Sequence, residues 1–196
     1  MKNLIALILL FTSFTIAADL PNLKIGESVP TFTLKNYDGK EFSLDKVRKE
    51  KENKFTVVMF ISTECPVSNS YNEKMVKLSE TYSSKGIQFL GINANKEESV
   101  EDIAKHSKEH KFKFPVLKDE KNKIADLYGA LVTPEVYVIN KEGKLMYHGR
   151  IDDARMKTEA KTFDLQVALD ALLAGKEATT KETTARGCSI KRIDAE

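Results

Sequence analysis

Two cysteines, Cys65 and Cys188, are the only thiols in this 196-residue chain, and Cys65 stands where a reactive thiol is best supported. The apolar run FTVVMFIS over residues 55–62 gives way there to Pro66 and a helical pattern. The first turn of a helix carries N–H groups without intrahelical partners, and the summed peptide dipole adds roughly half a positive charge, so a thiolate is favoured over a thiol. Pro66 suits the first helical position, where its missing N–H would have been unpaired in any case. Glu64 acts the other way, because a neighbouring carboxylate disfavours the thiolate. Glu64 can also be read as a proton acceptor or as a side chain facing solvent, and the net sign at Cys65 stays open.

The elements that must position Cys65 follow from periodicity. Phe55 to Ile61 has the continuous β-branched and aromatic character of a central strand buried on both faces. From Pro66 to about Ser84, Val67, Tyr71, Met75, Leu78 and Tyr82 recur at helical steps, as the core side of one helix requires. Gly86 ends that helix and IQFLGINA follows as a second buried strand. A helical pattern through Val100, Ile103 and Ala104 comes next, then FKFPVL and a short helix closed by Gly129. Thr133 and Pro134 introduce the strand EVYVIN, and Glu142 and Gly143 turn it into the returning strand KLMYHGRI. A last helix runs from about Phe163 to Ala174. Upstream, FTLKNYDGKEFSL alternates around Asp38 and Gly39 as an N-terminal β-hairpin, and the charge-dense DKVRKEKENK reads as a solvated loop or short helix. The expected architecture is α/β, a mixed central sheet flanked by helices.

Three segments are expected. Residues 1–18 read as a secretory signal, with Lys2, an apolar stretch from Leu4 to Phe14, and small residues Ala17 and Ala18. Residues 24–175 form the domain. Residues 176–196, beginning KEATTKETTAR, are Thr-rich and charged and read as a flexible tail carrying Cys188. Removal of Lys2 with the signal leaves 30 basic against 29 acidic residues, a balance that argues against a nucleic-acid partner. No later segment reaches the length of a membrane helix, so an exported protein, periplasmic and without stable membrane insertion, is expected. In an oxidising compartment Cys65 and Cys188 can pair either as a structural staple or as a redox couple.

The order of these motifs resembles the thioredoxin-like superfamily. MFIS followed by TECPVS, a helix and a later VTP carry the resemblance, and the leading hairpin is similar to that of the alkyl hydroperoxide reductase and thiol-specific antioxidant (redoxin) branch. ECPVSNSY, GRIDD at 149–153, LDALLAGK and GCSIK are similar to exported bacterial redoxin-domain proteins; the likeness spans about residues 24–192. It implies a thioredoxin-like fold and makes Cys65 the nucleophile of a thiol-disulfide oxidoreductase. It also implies a cis bond before Pro134, with Pro66, Thr133 and Pro134 lining a site that pairs with substrate backbone. Thioredoxins carry a second cysteine three residues after the first, where this chain has Ser68, so Cys188 is the internal candidate for the resolving thiol. The stretch from Gly175 can extend on the order of 40 Å, against a domain radius of gyration of about 15 Å. The thiols themselves carry the electrons, so no organic cofactor is implied. The implied partners are a protein or small-molecule disulfide and an electron-donating redox protein.

Competing chemistry rests on fewer residues. A thiol peroxidase of the same superfamily needs a hydroxyl three residues before the cysteine, which Ser62 supplies, and an arginine, for which Arg150 is the candidate. Val58 replaces the proline such enzymes carry, and the peroxidase is the second expectation. His106, Glu109 and His110 match an H-x-x-E-H zinc pattern, but lysines flank them and no further ligand set is evident. A plain exposed helix fits better. A non-catalytic module of this fold would use Cys65 and Cys188 as a structural bridge; a copper-binding one would need a second cysteine where Asn69 stands, although Cys65, Cys188 and His148 form a conceivable set.

Overall fold

An apolar run flanked by charged residues becomes a central strand when neighbouring strands cover both its edges and helices cover both its faces, and residues 55–60 do so here. The computed structural model describes residues 21, 23–154 and 159–193; the expected signal at 1–18 lies outside the described residues. The elements are β1 (Thr33–Asn36), β2 (Glu41–Ser43), α1 (Leu44–Lys49), β3 (Phe55–Phe60), α2 (Pro66–Asn69), α3 (Asn72–Ser83) and β4 (Ile87–Asn93). They continue as α4 (Val100–Glu109), β5 (Val116–Lys118), α5 (Lys123–Tyr128), β6 (Val132–Thr133), β7 (Glu135–Asn140), β8 (Leu145–Gly149), α6 (Asp164–Leu173) and β9 (Cys188–Ser189).

Seven strands form one mixed sheet in the order β2-β1-β5-β4-β3-β7-β8. β3 is parallel to β4, antiparallel to β7, and lies between them. β1 and β2 form the expected N-terminal hairpin, with Thr33 opposite Ser43. A separate two-stranded ribbon, β6 with β9, sits beside the sheet. The fold is thioredoxin-like.

Alternation along β3 divides the core in two. Val57, Met59 and Ile61 pack with Met75, Leu78 and Tyr82 of α3 and with Leu165 and Leu169 of α6. Val58 and Phe60 pack on the other face with Leu44, Val47, Ala125 and Tyr128. Each large apolar side chain so enclosed contributes roughly 1.5–3 kcal/mol relative to exposure, which makes the end of β3 a firm base for whatever follows it.

Two expectations change. The single helix over residues 66–84 is broken at Ser70 and Tyr71, where α2 ends and α3 begins. Ser70 bonds its hydroxyl to the carbonyl of Val67 at 2.7 Å and the N–H of Tyr71 bonds to Ser68 at 3.0 Å. Short polar side chains compete in this way for backbone partners that a continuous helix would use. Tyr71 and Met75 keep one apolar face through the break, so the periodicity did not register it.

The segment expected as a flexible tail is instead laid against the domain. Residues 181–183 run beside β8, with the His148 N–H bonded to Lys181 at 2.9 Å and the Thr183 N–H to His148 at 3.0 Å. Ala178 and Ile190 are buried in the two halves of the core. The segment covers the exposed edge of β8 and satisfies its own backbone groups there. Close approach requires glycine at 149, where φ is +143° and a Cβ would lie 2.2 Å from Thr183 Oγ1.

Candidate functional site

The site is assembled at the end of β3. Leaving the strand, Ser62, Thr63 and Glu64 form a loop that delivers Cys65 as the N-cap of α2, with φ −71° and ψ 115°. Pro66 occupies the first helical position. The Cys65 sulfur accepts the Ser68 N–H at 3.3 Å, and its thiol donates to the Thr133 carbonyl at 3.3 Å. Thr133 precedes Pro134 through a cis peptide bond. Cys65 is 4% exposed.

Opposite it lies the tail. In the β6–β9 ribbon Thr133 pairs with Cys188 and Val132 with Ser189, antiparallel. Both cysteines are free thiols, close enough for each to shift the other's ionisation. Burial raises the Cys65 pKa, but the Cys188 thiol, the Ser68 N–H and the Thr133 side chain outweigh it, and Cys65 ends below the ordinary thiol value. Burial, followed by the bond to Cys65 and the repulsion of its thiolate, holds Cys188 above that value. The shifts are opposed, so Cys65 is the thiol that ionises first while Cys188 keeps its proton.

The loop is held from beneath by Glu98, a carboxylate 3% exposed. Glu98 accepts the Ser62 hydroxyl at 2.5 Å, the Thr63 N–H at 2.5 Å, the Thr63 hydroxyl at 2.7 Å and the Asn93 amide at 2.6 Å. With its proton committed to Glu98, Ser62 Oγ accepts the N–H of Cys65 at 2.9 Å and that of Glu64 at 3.2 Å. Ser62 therefore fixes the Cys65 backbone. Lys118 Nζ reaches the carbonyls of Asn95 and Glu98, each at 2.6 Å, and so pins the segment that carries Glu98. A buried charge with this many donors is stabilised rather than stranded. Nothing in the run NKEESVED distinguishes Glu98 from Glu97, so the sequence offered no signal for it.

β6 has its own support. Glu135, 5% exposed, accepts the N–H groups of Leu131 at 2.8 Å and Val132 at 3.2 Å, and lies 2.7 Å from His148 Nε2. Burial raises the pKa of Glu135, but the His148 bond and the Leu131 N–H more than offset it, leaving the carboxyl below its usual range. His148, stacked on Tyr137 with ring centres 4.4 Å apart, is thus engaged by Glu135 and not offered to the thiols.

The other expected residues divide. Glu64 is exposed, and its backbone, not its carboxylate, joins the loop. Arg150 is held by Asp164 at 2.8 Å. It also lines, with Val67, Tyr71, Pro134, Ile151, Ala154, Arg186 and Gly187, a cleft of about 450 Å³. His106 is not on an exposed helix face: it is buried, with Nε2 2.9 Å from Asn69 Oδ1 and 3.2 Å from Asn72 Nδ2. Asn69 in turn donates to the Thr63 carbonyl at 2.8 Å, so His106 braces the same loop. Among the described residues no group of three His, Cys, Asp or Glu side chains is placed to hold a metal ion, and no helix is long and apolar enough to cross a membrane.

A low-pKa thiol capping a helix beside a cis-proline, with a second thiol against it, defines a thioredoxin-like, thiol-dependent oxidoreductase. The AhpC/TSA family model matches residues 25–148, and the chain belongs to that family. Thiol-disulfide oxidoreductase ResA of Bacillus cereus is 27% identical over 129 residues, which are 66% of this chain and 71% of that protein. Chloroplastic peroxiredoxin Q of Populus jackii is 31% identical over 143 residues, covering 64% of this chain and 60% of that protein. The crystal structure of a hypothetical protein from Sinorhizobium meliloti 1021 is similar with a TM-score of 0.83 and 31% identity, covering 90% of this chain and 98% of that one.

Proposed function

We propose that this protein is an exported, periplasmic thiol-disulfide oxidoreductase in which Cys65 is the nucleophile and Cys188 the resolving thiol. The observation that carries the proposal is the register of β6 and β9, which sets Cys188 opposite Thr133, the residue whose carbonyl accepts the Cys65 thiol. The Cys65 thiolate attacks one sulfur of a substrate disulfide, forming a mixed disulfide as the other sulfur leaves and takes a proton. Cys188, deprotonated, then attacks the Cys65 sulfur, releasing the second substrate thiol and closing a Cys65–Cys188 disulfide. Two electrons pass to the substrate, and a dithiol redox partner returns them. Thr133 and Pro134 form the floor on which substrate backbone lies, and Pro66 flanks it.

The peroxidase alternative has weaker support. The Ser62 proton goes to Glu98 and Arg150 is held by Asp164, so neither is directed at an oxygen on Cys65. The export reading rests on residues 1–18. In an assay with a small disulfide, Cys65→Ser should abolish turnover, and Cys188→Ser should stop the cycle at a mixed disulfide on Cys65. Unchanged turnover in Cys65→Ser overturns the assignment.

A further inference from the structure

The two thiols meet at the short strand β6, Cys65 through its bond to the Thr133 carbonyl and Cys188 from β9, the strand of the chain's own tail that pairs with it. β9 covers the β6 edge and also contacts α2, so the buried nucleophile, 4% exposed, lies beside a segment of its own chain. The hydrogen bonds that anchor the tail lie to either side of this cover. Lys181 and Thr183 bond to His148 on one side, and Ile190 bonds to the Leu131 carbonyl at 3.0 Å, with Lys191 bonded to Asn95 at 2.8 Å, on the other. Between these anchors the segment acts as a strap. With the strap lifted, Val132 and Thr133 present unpaired backbone groups next to Cys65, and such an edge is a template for another extended chain.

The strap also specifies what fits. A Cβ at Gly187 would lie 1.8 Å from the Thr133 oxygen and 2.6 Å from its carbonyl carbon, so a strand in this register requires glycine immediately before the cysteine. That register sets the cysteine opposite Thr133, whose carbonyl accepts the Cys65 thiol. Resting on the assignment of Cys65 as nucleophile and of Thr133 and Pro134 as the floor for substrate backbone, we infer that β9 occupies this floor as the chain's own copy of the ligand, that it lifts before a substrate polypeptide pairs, and that the polypeptide which fits carries glycine immediately before its cysteine.

Chemistry and occupancy then alternate. The docked chain presents a disulfide whose cysteine sulfur stands where the Cys188 sulfur stood. The Cys65 thiolate attacks it, the outer thiol leaves with a proton, and the docked chain is held by a mixed disulfide. Return of β9 displaces the docked strand and brings the Cys188 thiolate to the Cys65 sulfur, so the second thiol is expelled as the Cys65–Cys188 bond forms. The substrate disulfide is reduced, the two protein thiols are oxidised, and an external dithiol restores them.

The probe is a heptapeptide of residues 184–190, Thr-Ala-Arg-Gly-Cys-Ser-Ile, with its cysteine in a disulfide to 2-thiopyridine. A second peptide has alanine in place of the glycine, and dipyridyl disulfide serves as the small control. The full-length Cys188→Ser protein is compared with Cys188→Ser carrying Gly187→Ala, whose new Cβ forces β9 from the edge. The glycine peptide should react about tenfold or more faster with the double variant than with Cys188→Ser, whose strap still covers the edge. The alanine peptide should gain no more than the small control. Equal rates for the two peptides overturn the docking site while the small control still reports a nucleophilic Cys65; failure of every disulfide to react overturns the Cys65 assignment and the docking site together. If the double variant does not fold, hydrogen exchange on the mixed disulfide of Cys188→Ser with the glycine peptide decides. Loss of protection at Ser189 and Ile190 is expected, and retained protection overturns the proposal.

Discussion

Cys188 stands directly across from Thr133 in the β6–β9 pair, and the Thr133 carbonyl is also the acceptor of the Cys65 thiol at 3.3 Å. One backbone residue therefore organises both sulfurs. A thiol 123 positions away in the chain takes the place that a neighbouring cysteine at position 68 would otherwise fill. Ser68, fully buried, is left to cap and brace: its N–H reaches the Cys65 sulfur and its hydroxyl accepts the Ser62 N–H at 3.1 Å.

The first prediction concerns the ionisation of Cys65. After burial, which raises its pKa, the Cys188 thiol is the foremost of the groups that lower it. Cys188→Ala removes that donor, so the midpoint of the alkylation-rate profile of Cys65 should move to higher pH. Rates of iodoacetamide labelling across pH, read by mass spectrometry, measure it. An unmoved midpoint would mean that the two thiols do not interact in solution.

Glu98 is predicted to act on Cys65 through Ser62. Glu98→Gln keeps the shape but replaces a charge-assisted acceptor with an amide, and should cost about 1–3 kcal/mol in denaturant unfolding. It should also move the Cys65 alkylation midpoint, upward where loosening of the N-cap geometry dominates and downward where loss of the nearby negative charge does. A stability loss with no change in that midpoint would reduce Glu98 to a structural residue.

Much of this arrangement was legible in the chain, and the parts that were not have physical reasons. The run from Phe55 to Ile61 and the helix start at Pro66 each carry a local signature, so β3 and the place of Cys65 were expected, while the cis-proline was expected from the family resemblance of the VTP motif. Glu98 had none: its burial is created by donors from Ser62, Thr63 and Asn93, which meet it only in three dimensions. The tail was hidden by composition. Residues 181–187 alternate partly buried and exposed, the period of a strand, but the inward positions are Lys181, Thr183 and Ala185, which mark no apolar face. Ser62 was expected for its hydroxyl near the sulfur, whereas its donor turns to Glu98 and its lone pairs to the backbone.

Acid should weaken β6 through Glu135. Its folded pKa lies below its usual value, so the stability it contributes is fully present above the unfolded pKa of about 4.3. That contribution is lost as pH falls through the lower folded value. Wild type should therefore exceed Glu135→Gln in stability at neutral pH, and the gap should close below about pH 4. Chemical denaturation at a series of pH values tests this, and a gap independent of pH would contradict it.

The tail should be tied to the core through Ile190, which is 5% exposed and packed with the α1 and α5 side of the sheet. Ile190→Ala should cost about 2–5 kcal/mol if the cavity fails to collapse, and Cys65 should be alkylated faster as β9 loosens. Calorimetry and labelling of the same sample read both effects. Faster labelling without lost stability would place the anchor elsewhere.

The central claim is that Cys65 and Cys188 form a working redox couple, and the reduction potential of the pair, with the bridge mapped by mass spectrometry, tests it most directly. We predict a Cys65–Cys188 disulfide whose potential falls among exchange-active proteins, between about −120 and −270 mV. A bridge with a potential below about −300 mV, resistant to thiol reductants, would make the pair a structural staple and contradict the account.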